Sequence, residues 1–186
     1  MLVPVKAFAH AKVRLAPALD EAARAELSRR MAERVLAAAR PLPVAVVCDD
    51  PEVARWAAEH GATVISEPGR GLNGAVTIGV EQLAEAGYAQ VIVAHADLPL
   101  ARSFAWLADL DGITLVPDRH DDGTNVVCLP ATCGFEFSYG TGSFARHVAA
   151  AVRLGLAPRV LREPSLGWDV DVPADLTGLT APLTKP

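Results

Sequence analysis

Three aspartates have side chains and positions suited to binding a divalent cation. Asp97 lies just after an apolar run that ends at Ala94, and Asp169 and Asp171 stand two positions apart late in the chain. On an extended backbone such a pair points to one face, and two desolvated carboxylates side by side are unfavourable unless a cation compensates them. Two simpler roles remain open: Asp97 as a cap of the following turn, and the late pair as an exposed edge or a cap before Pro173.

Three basic residues follow the first apolar segment of the chain. Lys6, Lys12 and Arg14 fall within a short stretch of sequence. Fixed positive charges in a loop can hold a triphosphate and stabilise a departing pyrophosphate. An ordinary solvent-exposed loop explains the same residues without a ligand.

Two later segments combine a hydroxyl side chain with glycine, a pattern that can bind an anion. Thr124 follows Gly123, and Ser143 comes shortly after Gly140 at the start of a predicted helix, whose free amides favour negative charge. A tight turn at the first segment and a helix cap at the second are the alternatives. No nucleophile elbow or phosphate-binding P-loop motif occurs in the sequence, so an enzyme-bound covalent intermediate is not indicated.

The elements that position these residues alternate between strand and helix. Continuous apolar strands need cover on both faces, so the alternation predicts a three-layer α/β sandwich with a mostly parallel sheet, in which Asp97 lies at the ligand-binding carboxyl edge. A hairpin-like excursion and a terminal element around Val170 are expected after the regular part. The predicted strands are 2–8, 44–48, 63–65, 91–94, 113–116, 125–129 and 159–161, and the predicted helices are 20–40, 51–60, 73–86 and 143–154.

Length and composition restrict the class of protein. The 186 residues, with 51% hydrophobic and 21% charged, suit one domain over residues 1–176, followed by a flexible tail at 177–186. The net charge of -5 argues against a nucleic-acid surface. The absence of a long apolar run or a signal peptide predicts a cytoplasmic protein without membrane contact. The three cysteines lack paired spacing, which argues against disulfides and zinc.

Nine short motifs, in order along almost the whole chain, carry a resemblance to a known family. They are Pro4-Val5-Lys6, Ala11-Lys12-Val13-Arg14-Leu15, Gly71-Leu72-Asn73, Ala96-Asp97-Leu98-Pro99, Asp118-Arg119, Asp122-Gly123-Thr124-Asn125, Phe137-Ser138-Tyr139-Gly140, Gly142-Ser143-Phe144-Ala145-Arg146-His147 and Asp169-Val170-Asp171-Val172-Pro173-Ala174-Asp175-Leu176. Together they resemble the phosphoenolpyruvate or 2-phospho-L-lactate guanylyltransferase family of coenzyme F420 biosynthesis. Individually the motifs are short, and their order makes the combination specific.

The resemblance implies a nucleotide-diphospho-sugar transferase-like fold, similar to molybdopterin guanylyltransferase. It also implies an enzyme that uses Mg²⁺ and transfers GMP from GTP to a three-carbon phospho-acid, with release of pyrophosphate. The residues it implies are Asp97, Asp169 and Asp171 for the metal, Lys6, Lys12 and Arg14 for catalysis, Pro4, Leu72 and Asn73 for the nucleotide, and Thr124, Gly140 and Ser143 for the acceptor.

The chain departs from the family pattern at three positions. Val13 stands where a small hydroxyl residue is common, His95 precedes the Ala-Asp-Leu-Pro motif, and Thr141 replaces a common proline. The sequence leaves open which acceptor is used, whether Asp169 or Asp171 binds the metal directly, and whether the protein forms the homodimer that the resemblance suggests. A molybdopterin or sugar-phosphate nucleotidyltransferase, or a nucleotide-binding protein without turnover, is the alternative.

Overall fold

Short β-branched and apolar runs form the seven strands of one sheet. A computed structural model describes residues 1–67 and 69–177. The strands are β1 (Leu2–Pro4), β2 (Ala45–Cys48), β3 (Thr63–Ser66), β4 (Gln90–Ala94), β5 (Thr114–Pro117), β6 (Thr124–Pro130) and β7 (Arg159–Val160). Their order across the sheet is β3-β2-β1-β4-β6-β5-β7.

Two of the long helices begin where an aspartate precedes a helical pattern. Asp20 and Asp50 each accept a hydrogen bond from the backbone amide three residues ahead, as N-cap aspartates do. The helices are α1 (Glu21–Ala38), α2 (Pro51–Glu59), α3 (Gly71–Glu85), α4 (Ser143–Arg153), α5 (Pro164–Gly167) and α6 (Pro173–Thr177), with 3₁₀ turns at Phe8–His10, Val13–Leu15 and Ala105–Asp109.

Successive side chains of the strands pack in two separate apolar layers, one on each face of the sheet, which confirms the three-layer sandwich. Val46 lies in the layer that contains buried residues of α1 and α2, whereas its neighbours Ala45 and Val47 lie in the layer that contains those of α3 and α4. This follows from the twofold periodicity of a strand. Both faces of the central strands are therefore buried, which explains why their sequences show no polar alternation.

The strand order changes direction at β1, because β2 and β3 lie on one side of it and β4 lies on the other. The pairs β1–β2, β2–β3, β1–β4 and β5–β7 are parallel, whereas β6 runs antiparallel to both β4 and β5. The first three strands extend the sheet one way, and β4 then starts again on the other side of β1. Such a reversal opens a crevice beyond the carboxyl ends of the two strands. The loops after β1 and β4 therefore meet there.

The structure corrects two predicted elements. The first strand ends at Pro4 instead of Phe8, which belongs to a 3₁₀ turn. The terminal element expected around Val170 is a loop between α5 and α6. Its amides at Asp171 and Val172 donate to the Asp175 carboxylate instead of a neighbouring strand, while Val170 packs with Leu15 and Met31 in a small third core.

Two predictions concern the chain ends and membrane contact. Of the tail predicted at 177–186, Thr177 ends α6, and residues 178–186 lie outside the described residues. Within residues 1–67 and 69–177, no helix has the length and apolar content required to span a bilayer.

Candidate nucleotide and anion site

A cavity of about 690 Å³ lies at the reversal point between β1 and β4. Its walls come from the loop after β1, the N-terminus of α3, the loop after β4, the turn between β5 and β6, residues 139–143 and the loop before α6. Segments far apart in the sequence therefore line the same cavity. A volume of this size is in the range of small-molecule sites.

Lys12 lies between two of the predicted metal carboxylates. Its Nζ is 2.5 Å from Asp97 Oδ2 and 2.8 Å from Asp171 Oδ1, and Arg14 Nη1 is 4.0 Å from Asp171 Oδ2. Lys12 adopts a left-handed backbone conformation with φ of 54°. This conformation is uncommon for residues other than glycine, and the surrounding contacts must stabilise it. We call Lys12, Asp97, Asp169 and Asp171 the acidic centre.

The charges of the acidic centre are only partly compensated. Burial opposes ionisation of Asp97, but the Lys12 ammonium and His95 outweigh it and lower the pKa of Asp97. For Asp169, burial together with the charges of Asp97 and Asp171 raises the pKa to about 6. Asp97 Oδ1 is buried and has no hydrogen-bond partner among the described residues. The acidic centre therefore retains unsatisfied negative charge, which a cation would stabilise.

The aspartates of the acidic centre do not by themselves form a complete metal cage. In the part of the chain that the structure describes, no three His, Cys, Asp or Glu side chains converge closely enough to hold a metal ion. The Lys12 ammonium lies between Asp97 and Asp171 and contacts both. Asp97 Oδ1 and the Asp169 carboxylate remain outside the contacts of Lys12.

Arg119 and Asp175 hold the loop that carries Asp169 and Asp171. Arg119 Nη1 donates to the Asp169 carbonyl oxygen at 3.1 Å, and Arg119 Nη2 forms an ion pair with the buried Asp175. The Arg119 guanidinium also lies 4.3 Å from the Trp168 ring centroid. The amides of Asp171 and Val172, together with Arg119, lower the pKa of Asp175 against the effect of burial. Side chains thus fix a loop that has no strand partner.

A second group of residues in the cavity lining presents hydrogen-bond donors. We call Thr124, Gly140, Thr141 and Ser143 the donor wall. Among the described residues, the amides of Gly140 and Thr141 and the hydroxyl of Ser143 have no hydrogen-bond acceptor. Gly140 and Gly142 have φ values of 110° and 72°, which glycine adopts easily. Free donors around a tight loop provide a binding place for an anion.

Arg146 on α4 holds the backbone of the donor wall from behind. Its guanidinium donates to the carbonyl oxygens of Ser138 at 2.8 Å and Thr141 at 2.6 Å, and its Nε donates to Ser138 Oγ at 2.8 Å. Gly142 N donates to Asp122 Oδ1 at 3.1 Å, which ties the loop to the β5–β6 turn. Because these carbonyl groups point towards Arg146, the loop has a defined conformation before any ligand binds.

Eleven of the twelve residues predicted for the site line this cavity. Lys6 is exposed at its rim, and Leu72 is half-exposed at the start of α3. Asn73 is absent from the lining, because its Oδ1 accepts a hydrogen bond from Tyr139 N at 2.7 Å. The predicted residues in the lining are Pro4, Lys6, Lys12, Arg14, Leu72, Asp97, Thr124, Gly140, Ser143, Asp169 and Asp171.

Several site residues were not singled out by the sequence patterns. His95 and Tyr139 line the cavity with their rings 4.9 Å apart, and His95 Nε2 and the Tyr139 hydroxyl are buried without a partner among the described residues. Arg119 and Arg146 support the site from outside the lining. Tyr139, Arg119 and Arg146 lie within the motifs that carry the family resemblance, and His95 directly precedes one of them. The motifs did not indicate the contacts, such as the bond from Arg119 to a carbonyl oxygen 50 positions away.

Comparison with known proteins decides the family. The family described as "Guanylyl transferase CofC like" matches residues 1–181. The chain belongs to this family. A phosphoenolpyruvate guanylyltransferase from Sphaerobacter thermophilus is 40% identical over 96% of this chain and 90% of its own length. The protein of that name from Rubrobacter xylanophilus is 37% identical over 97% of this chain and 92% of its own length.

Solved structures of other nucleotidyltransferases share the fold of this CofC-like chain. A putative nucleotide-diphospho-sugar transferase from Desulfovibrio desulfuricans has a TM-score of 0.74 at 18% identity, over 96% of this chain and 84% of that one. A nucleotidyl transferase from Methanothermobacter has a TM-score of 0.62 at 17% identity, over 96% and 95%. At these identities the similarity concerns the fold alone, and it confirms the predicted fold class.

Proposed function

We propose that this protein is a guanylyltransferase that transfers GMP from GTP to phosphoenolpyruvate and releases pyrophosphate, as a step of coenzyme F420 biosynthesis. The observation that supports this most strongly is one cavity that is lined both by the acidic centre and by free hydrogen-bond donors. The relatives named phosphoenolpyruvate guanylyltransferase, together with the family match, supply the substrate class.

We infer that Asp97 and Asp169 bind Mg²⁺ and that Asp171 supports them through Lys12. Asp97 Oδ1 has no hydrogen-bond partner among the described residues. Burial, together with the charges of Asp97 and Asp171, raises the pKa of Asp169 although Arg119 Nη1 lies 3.7 Å from Asp169 Oδ1, so both carboxylates fit a hard cation. Mg²⁺ commonly uses one or two carboxylates and completes its coordination with phosphate oxygens and water. When bound, it would neutralise charge on the reacting phosphates.

The basic residues form the nucleotide end of the proposed site. Lys6, Lys12 and Arg14 contact the triphosphate and stabilise the departing pyrophosphate, while Pro4 and Leu72 lie on the guanine side. Lys12 then exchanges part of its contact with the aspartates for contact with phosphate, which its flexible side chain permits. Asn73 stays a predicted guanine residue, with its Oδ1 already occupied by the Tyr139 amide.

The donor wall is the proposed acceptor end. The Thr124 and Ser143 hydroxyls and the Gly140 amide bind the phosphate and carboxylate of the acceptor. An acceptor phosphate oxygen attacks the α-phosphorus of GTP in line, a new P–O bond forms, and the bond to the β-phosphate oxygen breaks. The electron pair leaves with pyrophosphate. The attacking phosphate is already ionised near neutral pH, so no general base is required.

A pyrophosphate-release assay tests the proposal. We expect release only when GTP, Mg²⁺ and phosphoenolpyruvate are all present, with the mass of GMP added to the acceptor. Parallel reactions replace phosphoenolpyruvate by 2-phospho-L-lactate, and GTP by ATP or CTP. Release with a sugar phosphate instead, or GTP binding without any release, would contradict the proposal. Light scattering of the same preparation tests the homodimer.

A further inference from the structure

His147 is a buried histidine that the proposed chemistry does not use. It lies on α4 with 0% of its surface exposed. The aromatic rings of Phe135, Phe137 and Tyr139 surround it, with centroid distances of 5.5, 6.4 and 4.9 Å. A polar ring in such a setting requires hydrogen-bond partners, because an unsatisfied buried polar group is costly.

The two ring nitrogens of His147 have partners that determine its tautomer. Ser138 N donates to Nε2 at 2.9 Å, and Nδ1 is 3.0 Å from Thr124 Oγ1. A backbone amide can only donate, so Nε2 must carry the lone pair. The hydrogen of the neutral ring is then on Nδ1 and points to Thr124 Oγ1. Burial, followed by the charge of Arg146, lowers the pKa of His147 to about 4, which keeps the ring neutral at pH 7.

This tautomer decides what the Thr124 hydroxyl can do. Its oxygen accepts from His147, so its own hydrogen must point elsewhere. Within residues 1–67 and 69–177, that hydrogen has no acceptor, and Thr124 and Ser143 both line the cavity. A hydroxyl that accepts one hydrogen bond becomes a better donor in another. The Thr124 hydroxyl is therefore directed to donate to an anion.

We propose that His147 is a positioning residue that makes the Thr124 hydroxyl a hydrogen-bond donor to the anionic acceptor. The inference rests on the proposed function, because it takes the donor wall as the acceptor site. His147 does not contact the substrate and acts through Thr124. Its second bond, from the Ser138 amide, joins the same ring to the start of the donor-wall loop.

A double-mutant cycle tests the coupling. His147→Gln can still accept from the Ser138 amide but offers no donor at the Nδ1 position, and Thr124→Val removes the hydroxyl. Each single variant is expected to raise the KM for phosphoenolpyruvate about tenfold, the scale of one hydrogen bond to a charged group, with the KM for GTP unchanged. The double variant should match Thr124→Val within about twofold. The inference would be overturned if the double variant showed the product of the two single effects, or if the KM values for phosphoenolpyruvate and GTP changed equally.

Two further variants separate positioning from structural support. His147→Asn retains a donor near the Nδ1 position and should keep the KM for phosphoenolpyruvate within about threefold of the starting value. Phe135→Leu removes a ring contact with His147 but no hydrogen bond, so it should lower the melting temperature and leave that KM unchanged. A rise in KM with Phe135→Leu equal to that with His147→Gln would contradict a positioning role.

The tautomer is measured without turnover. Long-range ¹H–¹⁵N spectra of the imidazole rings, assigned by the signals lost in His147→Gln, should show His147 protonated on Nδ1 alone at pH 7. Protonation on Nε2 would overturn the inference. Wild-type protein that never releases pyrophosphate would overturn the proposed function and the inference together. Active protein with uncoupled variants would overturn the inference alone.

Discussion

Two groups of residues in the cavity lining, the acidic centre and the donor wall, differ in how their polar groups are satisfied. In the acidic centre, the Lys12 ammonium contacts two of the three carboxylates, and Asp97 Oδ1 has no hydrogen-bond partner among the described residues. In the donor wall, Arg146 binds the Ser138 and Thr141 carbonyl groups and His147 contacts Thr124 Oγ1, while the amides of Gly140 and Thr141 have no acceptor among the described residues. The first arrangement has negative charge that the proposed Mg²⁺ would compensate, whereas the second has free donors that would suit the proposed anionic acceptor. Under the proposed function, the contrast explains how one site would bind both a metal and a phosphate.

The largest effect is expected when the acidic centre loses one charge. Asp97→Asn retains size and shape but removes the negative charge that faces both Lys12 and the proposed metal. Turnover should fall roughly 1000-fold, with circular dichroism unchanged. Asp109→Asn, the same change at an exposed position, is the control and should leave turnover unaffected. Near-normal turnover of Asp97→Asn would show that the acidic centre is not catalytic.

The buried His147, which contacts Thr124 of the donor wall, is expected to make the protein less stable in acid. Unfolded chains protonate histidine near pH 6.5, whereas folded His147 remains neutral down to about pH 4. Its contribution is therefore present above pH 6.5 and is lost as the pH falls towards 4. Relative to His147→Gln, the wild type should lose about 2 kcal/mol of unfolding free energy between pH 7 and pH 5. Urea denaturation at both pH values measures this, and parallel profiles would contradict a buried neutral ring.

A smaller effect is expected when the support of the donor wall is removed. Arg146→Met deletes the guanidinium that binds the Ser138 and Thr141 carbonyl groups, so the loop loses its defined conformation. The KM for phosphoenolpyruvate should rise about tenfold while the KM for GTP stays constant. Arg153→Met, on the same helix, removes only an exposed ion pair with Glu136 and is the matched control. Equal effects of the two variants would disprove the support role.

The smallest expected effect is a gain of stability in acid, opposite to the loss expected from His147, and it comes from Asp169 in the acidic centre. The pKa of Asp169 is raised to about 6, so the folded protein takes up a proton there before the unfolded chain does. Stability from this group therefore increases as the pH falls through 6. In EDTA, the wild type should gain about 1 kcal/mol relative to Asp169→Asn between pH 7 and pH 5. Urea denaturation that shows no relative gain would mean that the carboxylate is already compensated.

Local patterns were sufficient to predict most elements of the fold. Asp50 followed by Pro51 predicted the start of α2, and the apolar run ending at Ala94 predicted β4, because capping and periodicity act over a few residues. The prediction was wrong at Val170. That loop is held by Arg119, which lies 50 positions away from the Asp169 carbonyl oxygen that it binds. Contacts over such separations leave no local signal.

For the candidate site too, the sequence determined one part and the tertiary structure determined another. Ordered motifs in the sequence were sufficient to identify the family, and they named eleven residues that share one cavity. Only the tertiary structure decided that Lys12 lies between Asp97 and Asp171, which are 85 and 159 positions away. It likewise decided which ring nitrogen of His147 faces Thr124. Residue types determine which charges and donors a chain possesses. The packing of distant segments determines which of them remain unsatisfied and are therefore available to a ligand.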